Sequence, residues 1–328
     1  MPRRQLITGA LFAALACGCG SGHAAAPRSS PAPASPARAA SPARAAAPPT
    51  ALRVVASRRL PAGVQLPALA LRGREVLALG GLDAADASVA GVVRVAPGSA
   101  RSLATLPQAV HDAGAAALGG RVYLFGGGTA AGPTGDIVEL GHGAIGHLPE
   151  PSSDLEAVRV GSRILVIGGY TGVQPLASVL AFTPGRPLRR VATLPYGVRY
   201  AAAAAAGKAV LVAGGTDGAH ARDEIVRVDP AAHRARRIGR LPAPLSHLTG
   251  AVLGGTLFLF GGRGDQGAQA RRGIWAVDVR TGRVRPAGRL PVALSDASAI
   301  AAGGRIVLVG GRTASGRVSD RVWELAAR

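Results

Sequence analysis

The sequence predicts an all-β fold: a six-bladed β-propeller of four-stranded blades, closed by its N-terminal strand. Three observations carry this expectation. One sequence unit recurs six times along the chain. Each unit divides into short apolar runs punctuated by glycine and proline. A lone strand-like segment stands before the first unit, and the last unit is one strand short.

The unit is clearest at 290–311, LPVALSDASAIAAGGRIVLVGG. Its Leu-Pro recurs at Leu60, Leu106, Leu148, Leu194, Leu241 and Leu290. Its Gly-Gly recurs at Gly80, Gly126, Gly168, Gly214, Gly261 and Gly310, always 20 residues after the leucine. The repeat period varies instead: 46, 42, 46, 47 and 49 residues. A constant segment with variable spacers is one structural unit whose insertions sit in loops. Periods near this length mark propellers or arrays.

Within a unit, a small-residue strand such as Gly114–Leu118 meets a Gly turn and a short apolar strand, Val122–Phe125. A third strand alternates, as in Glu224–Asp229, and a fourth follows, as in Arg234–Gly239. The run Ala201–Ala206 has high helix propensity. The repeat register overrules it and assigns an innermost strand, where small side chains fit a crowded axis. Residues 51–59 occupy the place of a fourth strand, and the sixth unit stops in its third. Leu52–Arg58 is therefore expected to complete the blade of Ser295–Leu325, which removes the open edge.

Four apolar residues before Gly-Gly, as in RVYLFGG (121–127), ILVIGG (164–169) and TLFLFGG (256–262), resemble the kelch repeat. The resemblance spans 51–328 and all six units. It departs downstream, where kelch units carry a Tyr and a Trp. Those places hold Val228, Phe182 or Val277, then Leu188, Ala235 or Val284. The related propeller of galactose oxidase uses copper and a Cys-linked Tyr. The region 51–328 has no cysteine, so that chemistry has no counterpart.

The formal charge is +20, and five arginines in 1–50, without any acid, leave +15 on residues 51–328. Lys208 is the only lysine. Such an excess draws anionic partners, although a compositional bias toward Arg, Ala and Gly produces the same numbers. No nucleic-acid recognition motif is present. Residues 1–19 join a basic start to a short apolar stretch, as in an export signal. Small residues before Cys17 and Cys19 resemble a lipobox, so either cysteine is a candidate for lipidation. Residues 20–50, rich in Ala, Pro, Ser and Arg, read as a disordered linker. The expected location is extracytoplasmic: a cell-surface or periplasmic lipoprotein held by a lipid anchor only, otherwise secreted. The domain is expected to be a monomer without cofactor or metal.

Fourteen residues before each Gly-Gly lies one equivalent position: Leu66, Asp112, Asp154, Tyr200, His247 and Asp296. Equivalent positions in a ring converge on one opening. Their neighbours include His111, Arg199 and Ser246, and the loops after Gly-Gly add Asp86, Tyr170, Arg263 and Arg312. Strand entrances often carry Asp and Ser merely as local caps. Read as a site, His111, Asp112, Asp154, Arg199, Tyr200, His247, Arg263, Asp296 and Arg312 bind a ligand at the mouth. Motifs such as G-x-S-x-G, H-E-x-x-H and the P-loop are missing. The expected function is a non-catalytic binding module for a protein or cell-wall glycan, with an anionic partner favoured by the charge. The alternative, implied by the six-bladed kelch resemblance, is an enzyme similar to sialic-acid mutarotases, or a lyase, acting on an anionic sugar.

Overall fold

The computed structural model describes residues 48–265 and 267–328. The expected export signal, Cys17, Cys19 and the linker up to residue 47 lie outside the described residues. Among the described residues no helix is long and apolar enough to cross a membrane.

Six four-stranded antiparallel sheets form the blades of the propeller. From the axis outward, blade 1 is Ala68–Arg72, Glu75–Leu79, Val89–Ala96 and Ser99–Val110. Blade 2 is Gly114–Leu118, Arg121–Phe125, Asp136–Glu139 and Gly143–His147. Blade 3 is Glu156–Val160, Arg163–Ile167, Ser178–Phe182 and Arg189–Thr193. Blade 4 is Ala202–Ala206, Ala209–Ala213, Glu224–Asp229 and Arg234–Arg240. Blade 5 is Ser246–Leu253, Thr256–Arg263, Arg271–Asp278 and Val284–Ser295, extended by the short strand Arg312–Thr313. Blade 6 is Ser298–Ala302, Arg305–Val309, Arg321–Ala327 and, on its outer edge, Leu52–Arg59.

Blade 6 is thus built from two distant segments. Leu52 lies opposite Ala327 and is 1% exposed. Across the same seam, Arg58 and Arg305 both grip the Glu324 carboxylate. Burial raises the Glu324 pKa, but the two arginines outweigh it and hold the group below its usual value. The polyalanine segment is a strand, Ala202–Ala206, paired along its length with Ala209–Ala213. Sheet pairing overrides local propensity here, because tertiary contacts outweigh a few tenths of a kcal/mol per residue.

The Gly-Gly signature has a physical cause. Its first glycine has φ of 54–66° in all six copies, a left-handed conformation that glycine adopts without steric cost. A side chain there would strike a backbone oxygen in the segment that leads into the next blade: Gly261 faces Leu294 O and Gly310 faces Val64 O, each 2.1 Å from a Cβ. The second glycine's amide then donates to that same oxygen, as in Gly81 to Val110 (2.8 Å), Gly127 to Ser152 (2.9 Å) and Gly311 to Val64 (2.9 Å). The motif is a latch between neighbouring blades.

The core is divided likewise. Six apolar clusters fill the six gaps between adjacent blades. Aliphatic side chains dominate. Tyr123, Phe125 and Phe182 form an aromatic contact between blades 2 and 3, with centroids 5.0–5.1 Å apart.

Candidate ligand site on the propeller axis

The six equivalent residues Leu66, Asp112, Asp154, Tyr200, His247 and Asp296 all adopt φ between 51° and 59°. Asp tolerates this conformation; Leu and Tyr adopt it only when their surroundings enforce it. The enforcement is an arc of backbone hydrogen bonds that runs from Tyr200 through His247, Asp296, Leu66 and Asp112 to Asp154. Leu66 N donates to Asp296 O (2.7 Å), Asp112 N to Leu66 O (3.3 Å) and Asp154 N to Asp112 O (2.8 Å). His247 N donates to Tyr200 O (3.0 Å) and Asp296 N to His247 O (3.1 Å). Five bonds thus stitch the inner strands into a collar on the loop face.

The residue before each collar position bridges to the one two places after the first Gly of its own blade. His111 faces Gly128, Ser153 faces Tyr170, Arg199 faces Thr216, Ser246 faces Arg263, and Ser295 faces Arg312. This pairing brings the sequence-predicted residues together. Arg199 lies over Tyr170 (3.9 Å) and Tyr200 (4.5 Å), donates to the Tyr200 hydroxyl (2.9 Å), and forms an ion pair with Asp154. That ion pair lacks hydrogen-bond geometry between Arg199 Nε and Asp154 Oδ2. Tyr200 stacks on His247 at 3.8 Å.

Arg263 donates to His247 Nε2 (2.8 Å), which makes that nitrogen an acceptor. Nδ1 then carries the proton and meets Ser246 Oγ at 2.9 Å. Burial, helped by Arg263 and Arg199, lowers the His247 pKa to about 2, so the ring stays neutral. His111 sits on the rim, bonded to Ser88 (2.9 Å), and burial lowers its pKa. Arg312 is turned to Gln65 Oε1 (2.8 Å) and to Asp86, so it stands one shell out from the axis.

The acids behave differently. Burial, followed by the charges of Asp154 and Asp296, raises the Asp112 pKa well above its usual value. Asp154 and Asp296 are raised by burial too, against the pull of Arg199 and of Ser295 respectively. Burial and the neighbouring Asp154 charge therefore favour the protonated form of Asp112. Like charges this close and this dry cannot both ionise. Among the described residues no group of three or more His, Cys, Asp or Glu side chains is arranged to hold a metal ion.

Beneath the collar lies a cavity of about 380 Å³ that follows the axis. Alanine and glycine dominate its wall. Two residues that the sequence reading did not single out line it as well: Glu156 and Arg159, both in blade 3. Burial alone raises the Glu156 pKa to about 8. The signal was available in the repeat register. Two places after the collar, the other blades carry Ala68, Gly114, Ala202, Thr249 and Ser298. An acid in that series is the exception.

No family model matches the chain, and no curated protein matches it. Solved structures do. One, described as "Structure of YjhT", superposes with a TM-score of 0.70 at 16% identity, covering 81% of this chain and 95% of that one. The likeness shows a shared six-bladed propeller architecture. It is one of 637 matching chains, as befits an architecture that hosts many functions, so it fixes the fold and leaves activity to the site.

Proposed function

We propose that the propeller is an extracytoplasmic, kelch-type binding module for a small polyhydroxyl ligand, such as a terminal sugar of a cell-wall glycan. One observation supports this above all: a cavity on the axis, rimmed by Asp112, Asp154, Tyr200, His247 and Asp296. At about 380 Å³ it falls in the range of small-molecule sites. A flat rim would have favoured a protein partner. Lipidation at Cys17 or Cys19 would tether the module to a membrane. Calorimetry with a monosaccharide panel tests the reading. Asp112→Asn, which keeps a residue tolerant of positive φ, should weaken binding about tenfold, the worth of one well-placed hydrogen bond. Wild-type protein that binds no sugar in the panel would refute it.

A second reading, acid–base catalysis on an anionic sugar, draws on a different observation. Asp112 and Asp154 are neighbouring buried carboxyls beside the cavity, both raised and Asp112 well above its usual value, and paired carboxyls with separated proton affinities suit proton transfer. Polarimetry of a freshly dissolved single anomer decides between binding and turnover: accelerated rotation change, lost in Asp112→Asn, would establish catalysis.

A further inference from the structure

The axial cavity contains a chemical asymmetry that the collar does not explain. At the register of Glu156, the other blades present Ala68, Gly114, Thr249 and Ser298 to the cavity, and Ala202 packed into the core; at the register of Arg159 they present Leu71, Ala117, Ala205, Val252 and Ala301. At these two registers only blade 3 carries ionisable side chains. The hydroxyl groups on the lumen wall are already engaged. Thr249 Oγ1 accepts from Ala299 N (2.9 Å), and Ser298 Oγ donates to Pro67 O (2.6 Å). Glu156, by contrast, has neither a hydrogen bond nor an ion pair among the described residues. A desolvated carboxyl without a partner destabilises the fold, and blades 1 and 4 manage with alanine in its place.

The two ends of the lumen also differ. At the end with the loops after Gly-Gly, backbone hydrogen bonds join five of the six collar junctions, and Asp112, Asp154 and Asp296 are buried. Toward the other end the wall residues Leu71, Ala117, Ala205, Val252 and Ala301 become partly exposed, and Arg159 is exposed. Arg159 uses Nε on Gly161 O (3.1 Å). Its remaining guanidinium donors have no partner among the described residues. Along a strand, three residues separate Glu156 from Arg159 by about 10 Å.

We infer that the lumen is itself the ligand pocket, in which Glu156 binds hydroxyls and Arg159 the carboxylate of an acidic monosaccharide that enters from the face opposite the variable loops. This rests on the reading of the axis as a small-ligand site and names its occupant and its route. A guanidinium matches a carboxylate in shape and charge. A carboxyl that keeps its proton near neutral pH can both donate to and accept from vicinal hydroxyls. A cationic ligand is disfavoured by the +15 charge of residues 51–328.

The test is calorimetry on the full chain with glucuronate and, as its neutral counterpart, glucose, together with thermal unfolding. Glu156→Ala should weaken glucuronate binding about tenfold or more. The same change should raise Tm by roughly 2–4 °C, because it removes an unpartnered, half-buried carboxyl. Arg159→Gln should bring glucuronate affinity down to that of glucose. Unchanged glucuronate binding in Glu156→Ala, with binding lost in Asp112→Asn, overturns the lumen inference and leaves the collar reading standing. A lower Tm in Glu156→Ala would make Glu156 a structural residue and likewise overturn it. Wild-type protein that binds neither sugar refutes both readings for this ligand class.

Discussion

Blades 3 and 4 meet the axis with the same five-residue strand in the same register, and with opposite chemistry. Blade 4 presents Ala202–Ala206; blade 3 presents Glu156–Val160, with a carboxyl near the collar end and a guanidinium at the far end. Both strands pair normally with their second strands. The fold therefore accepts either sequence, and the propeller does not need the charges. What the fold does need is common to both blades: the Gly-Gly latch, the buried leucine of Leu-Pro and the positive φ of the collar residue. The contrast separates residues that hold the ring from residues that face what enters it.

That separation holds only while the ring keeps six strands in one register, so the largest expected effect comes from opening it. Deleting residues 51–59 removes Leu52 from the gap between blades 5 and 6 and strips Arg58 from Glu324. Truncating one buried leucine costs about 2–5 kcal/mol, and abandoning a buried ion-pair partner costs about 3–5 kcal/mol. The deletion should abolish cooperative unfolding or lower Tm by well over ten degrees. A truncated chain that melts like the parent would show that the ring closes elsewhere.

A smaller and more pointed effect tests the contrast itself. Ala202→Glu plants in blade 4 the carboxyl that blade 3 carries in the same register. Ala202 is 1% exposed and packs against Leu211, Leu245 and Leu248. The substitution should cost about 2–4 kcal/mol, read as a lower denaturation midpoint in urea. If it costs nothing, an acid in this register is structurally neutral, and Glu156 needs no ligand to account for it.

The sequence made the ring legible because its devices are local and repeated. Gly-Gly, Leu-Pro and a constant spacing mark the latch and the inner strands, and the spare segment at 52–58 marked the closure, found at Leu52–Arg59. Ala202–Ala206 was legible only through register, since propensity pointed to helix. The collar residues converged as their shared offset implied, and Arg263 reached His247. Arg312 did not come as far inward, because Gln65 and Asp86 hold it, and no spacing rule foretells a pairing 226 residues away. The collar's hydrogen-bond arc was illegible for a related reason: it joins backbone atoms and leaves no mark on residue type beyond a tolerance for Asp. Glu156 was missed because attention went to clusters of polar residues, whereas its meaning lies in being alone.

The smallest expected effect concerns protons on that same wall, and its sign differs between groups. Glu156 has a folded pKa of about 8 against an unfolded 4.5, so its contribution to stability falls as pH rises from about 4.5 to about 8. Asp112, Asp154 and Asp296, also raised, act in the same direction from 3.8 upward. His247, lowered to about 2 from 6.5, does the reverse: stability is lost as pH falls below 6.5. Wild-type stability should therefore decline toward both ends of the range. Glu156→Gln keeps size and polarity and removes only one titration. Its Tm should match the wild type near pH 4, exceed it increasingly up to pH 8 and run parallel above. The full gap should reach about 1–3 kcal/mol, the cost of a poorly solvated polar group. The acid limb set by His247 should be the same in both proteins. A gap that stays constant from pH 4 to pH 9 would mean that Glu156 titrates as a solvated acid. The two blades would then differ in sequence alone, and the lumen would lose its anchor.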